Sequence, residues 1–266
     1  MTGYIDLIRK RRSIRTFDGR RLSNEDLQKI KEFAKTADNP YNVDIEWYFL
    51  DTKKEDLKVP VIVGCDTYIV GKVKRCEHFE EAFGYSFEKI VLYAMSLGVG
   101  TTWIAGTMDR KAFEKAIDLK DDEVMPCISP LGYPAEKMSF REMMMRKGIK
   151  ADTRKNSDEL FFAEEFGKPL IIDDEMKEVF EAVKFAPSAV NKQPWRIIKF
   201  DNSFHFYKKA EIKAEAILDV QKIDLGIALC HFDLLIKEKG INTKLIIEDP
   251  KISVPEGVEY IASYAI

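Results

Sequence analysis

Three arginines and a serine near the start of the chain have the types and spacing of a phosphate-binding group. Arg11, Arg12, Ser13 and Arg15 lie within five consecutive residues. A guanidinium presents a rigid fork of N–H donors to phosphate oxygens, and a serine hydroxyl adds a short hydrogen bond. Short basic runs are also common on solvated surfaces. The segment alone therefore leaves both interpretations open.

A second polar segment lies between two prolines in the later part of the chain. It runs from Ala186 to Trp195 and reads APSAVNKQPW. Side-chain amides such as that of Asn191 both donate and accept hydrogen bonds, which suits the mixed edge of a flat heterocycle. The prolines would hold such a loop stiff and its polar groups in position. An ordinary turn built from Pro and Asn would show the same residues.

The elements that must position these segments occur twice in the chain. Residues 24–51 and 173–201 both begin with polar or acidic residues and continue as an amphipathic helix. Both then break at a turn that contains Pro40 or Pro187, and both end in an aromatic, β-branched strand. Two helix–turn–strand units can resemble each other by chance, because such units are common.

Two further pairs of segments repeat in the same order, which favours duplication over chance. Long apolar helices end at Gly98 and Gly240, where a C-cap needs positive φ, and strands are predicted at 101–104 and 243–247. Residues 126–132 and 258–266 are both β-like. We therefore predict two copies of one α+β unit, 1–150 and 157–266, with the polar segment 151–160 as a linker.

Composition and charge narrow the classes of function. The 266 residues are 45% hydrophobic and 33% charged, which is typical of a folded globular protein. The net charge of -3 gives no general attraction to nucleic acid or anionic lipid, so we expect neither as a partner. No apolar run is long enough to span a bilayer, and none follows the basic N-terminal segment as in a signal peptide. We expect a cytoplasmic protein.

Cysteine and histidine are too scattered to predict a disulfide framework or a metal site. The four cysteines form no C-x-x-C pair, and the three histidines form no H-x-x-x-H pair. Buried or idle thiols in a reducing compartment are the ordinary state of such cysteines. We expect no bound metal.

The two polar segments together resemble the FMN-dependent nitroreductase family. Arg-Arg-Ser-x-Arg and Pro-Ser-x-x-Asn-x-Gln-Pro-Trp are joined by two further blocks, Gly98–Gly106 (GVGTTWIAG) and Leu131–Glu136 (LGYPAE). The resemblance implies an α+β fold with a central, mostly antiparallel sheet flanked by helices. Ordinary members pair as dimers with a flavin at the interface, so here the two tandem repeats would form a pseudo-dimer.

The arrangement of the blocks departs from that of the family. The first repeat keeps the arginine segment and the glycine block, but its loop at 37–42 (ADNPYN) has lost the Pro-Ser motif. The second repeat keeps the loop, but 166–168 (FGK) stands where an arginine segment would be. The resemblance therefore implies one composite flavin site and a second, inactive pseudo-symmetric site into which Asp38 intrudes.

The resemblance assigns roles to thirteen residues. Phosphate and ribityl contacts fall to Arg11, Arg12 and Ser13, and the pyrimidine edge to Arg15. The flavin ring would lie along Trp103, Ile104, Ala105 and Gly106, where many members carry an acidic residue in place of Ala105. Lys137 and Arg141, which follow the LGYPAE block in the sequence, would also contact the phosphate. The loop that crosses from the second repeat contributes Pro187, Ser188 and Asn191.

The function implied is a flavin-dependent oxidoreductase that passes electrons from NADH or NADPH through FMN to nitro- or quinone-like small molecules by a ping-pong mechanism. The flavin would supply the chemistry, so we assign no catalytic residue. An FMN-binding sensor or storage protein is the alternative, and an interaction protein without flavin is a third hypothesis. The fused chain could be a monomer or a homodimer.

Overall fold

The chain combines helices with mostly antiparallel strands, as expected of an α+β protein. The computed structural model describes residues 3–215 and 217–266, so residue 1, where the first predicted repeat begins, lies outside the described residues. The helices are α1 (Tyr4–Lys10), α2 (Asn24–Ala34), α3 (Phe79–Ser96), α4 (Arg110–Ala116), α5 (Phe140–Gly148), α6 (Ser157–Leu160), α7 (Lys177–Phe185) and α8 (Val220–Glu238). The strands are β1 (Ile45–Asp51), β2 (Thr67–Lys74), β3 (Glu123–Val124), β4 (Ile128–Pro130), β5 (Phe161–Ala163), β6 (Trp195–Phe200), β7 (Ser203–Lys209), β8 (Lys244–Ile246) and β9 (Val258–Ala265).

The strands divide between two sheets. The first has the order β1-β2-β3, with β4 also paired to β2, and the second has the order β5-β6-β7-β9-β8. Every pairing is antiparallel except that of β5 with β6. The predicted α+β class and mostly antiparallel pairing are confirmed. The structure thus has two sheets where one central sheet was predicted. Each sheet packs on its own long helix, β2 against α3 and both β6 and β7 against α8.

The two long helices meet at a pair of glycines that reveals the pseudo-symmetry. A Cβ added to Gly84 would lie 2.2 Å from the carbonyl oxygen of Ile223, and one added to Gly226 would lie 2.1 Å from that of Glu81. Gly84 and Gly226 are 142 positions apart, as are Glu81 and Ile223. Each helix thus makes the same contact on the other, which a twofold axis requires. The predicted pseudo-dimer of tandem repeats is confirmed.

Equivalent glycines also end the two long helices. Gly98 and Gly240 share that 142-residue offset, and both have φ of +76°, the left-handed conformation of a helix C-cap. Residues 244–246 then form β8 as predicted. The strand predicted at 101–104 was wrong, because only isolated bridges form at Gly100 and Ile104. The backbone N–H of Thr102 donates to the Ser129 hydroxyl at 3.1 Å, which interrupts the ladder.

One hydrophobic core spans both repeats. It includes Phe83 and Phe87 of α3, Phe180 of α7 and Phe232 of α8, all fully or nearly fully buried. Outside the core, Arg9 of α1 forms a two-hydrogen-bond ion pair with Glu181 of α7, at 2.9 and 2.6 Å. The two repeats therefore share one packed core, while the boundary between 150 and 157 stays a prediction. Among the described residues, no helix is long and apolar enough to cross a membrane.

A buried carboxyl group lies beside the glycine crossing. Glu81 is 1% exposed, and its Oε2 has no hydrogen-bond partner in the described part of the chain. Burial raises the pKa of this carboxyl from 4.5 to about 7, although Lys222 opposes the shift. Between these two pH values the folded chain holds a proton that the unfolded chain has released. The free energy of unfolding should therefore fall as pH rises through this window.

We expect Glu81→Gln to remove this pH dependence. The part due to Glu81 amounts to about 3 kcal/mol between about pH 4 and pH 7. Chemical denaturation of the wild type and the variant at about pH 5 and about pH 8 measures it, and the variant should gain relative stability at the higher pH. Glu256→Gln, at an exposed position, is the control. Parallel pH profiles for wild type and Glu81→Gln would refute the assignment.

Candidate functional site

The guanidinium of Arg11 is buried without enough partners. Arg11 caps the C-terminus of α1, and its side chain is 6% exposed. Its Nε and Nη1 have no hydrogen-bond partner among the described residues, and the nearest carboxylate, that of Glu88, is 4.0 Å away. Burial lowers the pKa of Arg11, and Glu88 opposes that shift. Since a buried unpaired cation is costly, this geometry indicates a place for an anion.

Three further arginines lie in the same region as Arg11. Burial lowers the pKa values of Arg15 and Arg154, and the charge of Arg146 lowers those of Arg11, Arg15 and Arg154 further. The Nε of Arg154 also lacks a partner in the described part of the chain. Arg146 is paired with Asp152, which is largely exposed. Four guanidinium groups thus converge on one region, the composition of a phosphate site.

Helix α5 supplies Arg146 from its inner face. Ser139 caps the helix, and the hydroxyl of Thr16 donates to Oε2 of Glu142 at 2.8 Å, which ties α5 to the N-terminal segment. Glu142 is 2% exposed, and Arg146 lies one turn further along the same face. Arg141 is exposed and donates to the carbonyl of Pro60 at 2.7 Å.

The second-repeat loop has a strained backbone. Val190, Asn191 and Gln193 have φ of +42°, +57° and +51°, which is unusual for residues other than glycine and costly for a β-branched one. Ser188 helps to hold it, because its hydroxyl accepts from the backbone N–H of Gln193 at 2.9 Å. Such conformations persist only where surrounding contacts enforce them, and they concentrate at functional sites.

The same loop is tied to the segment that carries Arg154. Asn191 Nδ2 donates to the carbonyls of Lys150 and Thr153, at 2.7 and 3.1 Å, and Gln193 Oε1 accepts from the N–H of Lys155 at 2.9 Å. Immediately before the loop, the ring of Phe185 lies 5.4 Å beneath the Arg154 guanidinium. The structure therefore brings the arginine cluster and the Pro187–Asn191 loop to one place, with the amide of Asn191 already engaged by backbone.

A buried acid holds the other side of the loop. Both carboxylate oxygens of Asp224 on α8 lie 3.1 Å from the N–H of Ala189, and burial raises the pKa of Asp224 well above its ordinary value. Burial also raises the pKa of the Cys127 thiol to about 12. The charge of Arg110 lowers this pKa, and the charge of Asp224 raises it. Arg110 donates to the carbonyl of Ala105 at 2.6 Å. Asp224 therefore fixes the loop to α8 through the N–H of Ala189.

Within the Trp103–Gly106 block, the Trp103 side chain points inward, whereas the backbone at Gly106 is exposed. The indole Nε1 of Trp103 donates inward to Oε2 of Glu88 at 3.0 Å, and Ile104 bonds Ile128 through its backbone. Gly106 is exposed, and a Cβ there would meet nothing within 4 Å. The backbone at Gly106 is thus open to a flat ligand.

The remaining residues predicted to contact the flavin lie nearer the protein surface than Arg11. Arg12 is exposed and Ser13 half-buried. Arg11, Arg12, Gly98 and Gly100 are among the residues that line a cavity of about 190 Å³, smaller than most small-molecule sites. Lys137 and Arg141 are exposed, and neither is among the charges that shift the pKa values of Arg11, Arg15 or Arg154.

Sequence reasoning missed Arg146, Arg154 and Asp224. Arg146 and Arg154 lie beyond the blocks that carry the resemblance, in segments rich in surface charge. Asp224 did carry a signal, because an acid within the apolar stretch of α8 must find a hydrogen-bond donor or hold its proton.

The class follows from the fold. Two tandem α+β repeats about a pseudo-twofold axis define a nitroreductase-type fold. Residues 4–236 match the family model described as "Putative TM nitroreductase", and the chain belongs to this family.

Two individual proteins extend the comparison. A curated relative from Archaeoglobus fulgidus, named "Putative NADH dehydrogenase/NAD(P)H nitroreductase", is 26% identical over 180 residues, which cover 60% of this chain and 97% of the relative. The crystal structure of a "putative nitroreductase" from Thermotoga maritima superposes with a TM-score of 0.65 at 20% identity. That match covers 99% of this chain and 94% of the other, so the fold is shared over nearly the whole length.

Proposed function

We propose that the chain binds one FMN between its repeats and uses it to pass electrons from NADH or NADPH to a small nitro- or quinone-like acceptor. The observation that carries the proposal is the buried guanidinium of Arg11, whose Nε and Nη1 lack partners among the described residues. A flavin mononucleotide has the dianionic phosphate that such a group requires. The name of the archaeal relative, which includes NAD(P)H nitroreductase, supports NAD(P)H as the donor.

The residues present fit the two ends of this cofactor. Arg11, Arg15, Arg146 and Arg154 would hold the phosphate end, because their charges act on one another in a partly buried region. Arg12 and Ser13 would contact the ribityl chain. Lys137 and Arg141, which are exposed, would contact the phosphate from the solvent side of the site. For Arg15, the phosphate end is one of two assignments, because the family resemblance places its side chain at the pyrimidine edge of the flavin instead.

At the ring end, the open backbone at Gly106 would carry one face of the flavin, alongside Trp103, Ile104 and Ala105. Pro187, Ser188 and Asn191 would close it from the second repeat, in a loop that Asp224 holds in place through the N–H of Ala189. When bound, FMN would supply the two-electron carrier of the reaction. The cationic side chains would stabilise the negative charge that reduction adds to the site.

An anaerobic titration tests this function. Purified chain is loaded with FMN, titrated with NADH and separately with NADPH, and then exposed to nitroaromatic and quinone acceptors. We expect the flavin absorbance to bleach with at least one donor and to recover with an acceptor. FMN that binds but is not reduced by either donor would favour a sensor or storage protein. A chain that does not take up FMN would contradict both.

A further inference from the structure

A buried carboxylate connects the arginine segment of the first repeat to the second repeat. Glu88 of α3 is 0% exposed. Its Oε2 accepts from the indole of Trp103 at 3.0 Å, and its Oε1 lies 3.0 Å from Nε2 of His231 on α8. The same Oε1 is 4.0 Å from Nε of Arg11. One side chain thus touches the arginine segment, the Trp103–Gly106 block and a helix of the second repeat.

The other ring nitrogen of His231 determines how many protons this pair holds. Nδ1 lies 2.8 Å from the carbonyl oxygen of Ala182 in α7, and a carbonyl can only accept, so Nδ1 carries a hydrogen. If Glu88 is ionised, Nε2 must also carry one, and His231 is a cation. If His231 is neutral, Glu88 must carry the proton. Either way, the pair has no net charge.

This proton count matters for Arg11. An ionised carboxylate 4.0 Å from a buried guanidinium would cancel most of its charge. With the pair neutral, Glu88 can hold the guanidinium in place while the cluster keeps a net positive charge. Other charged or titratable groups that act on the cluster are Arg146 and Arg154 beside Arg11, and Cys230 beside Glu88.

We propose that His231, a residue of the second repeat, is a positioning residue that neutralises Glu88 so that Arg11 stays available to bind the cofactor phosphate. This inference rests on the proposed function, since it takes the anion to be the FMN phosphate. The second repeat would then contribute two things to the site, the loop and the histidine that shares a proton with Glu88. The pseudo-symmetric positions, Lys89 and Cys230, cannot form the same pair.

Three variants test the proposal by rescue. In His231→Gln, Glu88 is left as an uncompensated anion beside Arg11, so the Kd for FMN should rise about 10- to 100-fold. Glu88→Gln should weaken binding less, because it removes the negative charge while the glutamine amide can still bond to Trp103 and His231. The double variant should bind FMN about tenfold more tightly than His231→Gln alone. Lys192→Gln, at an exposed loop position, is the control.

Riboflavin separates charge from structure, because it lacks the phosphate. We expect its affinity to change little across the variants. If the role of the pair were merely structural, both single variants would weaken FMN and riboflavin alike and the double variant would be the weakest. That outcome would overturn the proposal.

Two further measurements keep the inference independent of flavin binding and of variant folding. Nitrogen-15 NMR of the wild-type histidines should show His231 protonated at Nδ1, and Glu88→Gln should leave it a neutral imidazole. A neutral His231 without a hydrogen on Nδ1 would overturn the proposal. Inorganic phosphate is the second probe. If the wild type binds phosphate but not FMN, and His231→Gln loses the phosphate, the role of His231 toward Arg11 holds for another phosphate ligand and the proposed function fails.

Discussion

Gly226→Ala lowers the free energy of unfolding by about 3 kcal/mol or more, at the upper end of what overpacking usually costs. The added methyl carbon would lie 2.1 Å from the backbone oxygen of Glu81. A flexible side chain could move away, but here the obstacle is the backbone of α3, so the whole helix must shift. Denaturant unfolding of the variant and the wild type measures the loss.

The pseudo-twofold axis supplies a second variant and a stringent comparison. Gly84→Ala meets the backbone oxygen of Ile223 at 2.2 Å, so its loss should be similar. Once either methyl has forced the helices apart, the second costs less, so the double variant should lose less than the sum. Gly148→Ala at the end of α5 is the control, because nothing lies within 4 Å of its added carbon. Equal stability of Gly226→Ala and Gly148→Ala would refute the crossing.

Arg11→Ala raises the Kd for FMN about 100-fold, the largest effect on binding that we expect from one side chain. The reason is the buried guanidinium with two unpartnered nitrogens, which the phosphate would satisfy. Arg15→Ala should also weaken FMN binding or lower the reduction potential of the bound flavin. Fluorescence titration of FMN quenching measures the affinity.

Lys192→Ala is the matched control, because Lys192 lies in the second-repeat loop but is exposed. It should leave the affinity close to that of the wild type. Stability gives an independent readout, since without flavin the loss of a buried cation with two unpartnered nitrogens should destabilise the chain less than the loss of a fully hydrogen-bonded one. Equal effects of Arg11→Ala, Arg15→Ala and Lys192→Ala on FMN would contradict the proposed site.

Patterns within a single element were predictable from the sequence. The glycine C-caps at Gly98 and Gly240 followed from local chemistry, because a helix end with positive φ favours glycine whatever its neighbours. The duplicated order of helices and strands was likewise visible as a repeat of patterns. The predicted strand at 101–104 failed because a hydroxyl from elsewhere, that of Ser129, took the N–H of Thr102.

Features that depend on the direction of a side chain were less accessible. Resemblance assigned Arg141 to the phosphate, whereas Arg146 is the arginine of α5 whose charge acts on the buried cluster. A helix turns about 100° per residue, so Glu142 and Arg146 share the inner face that Arg141 does not. Gly84 and Gly226 lie in apolar helices where a single glycine has no evident role until the helices are packed together.

The number of FMN molecules bound per chain tests the central claim most directly. The chain is reconstituted with excess FMN, freed of unbound flavin, and assayed for flavin and protein. One composite site, with Arg11, Arg15 and Arg146 from the first repeat, Arg154 from the linker and the loop from the second repeat, predicts about one FMN per chain. A value near two would show that the pseudo-symmetric site is also competent. A value near zero would contradict the flavin site altogether.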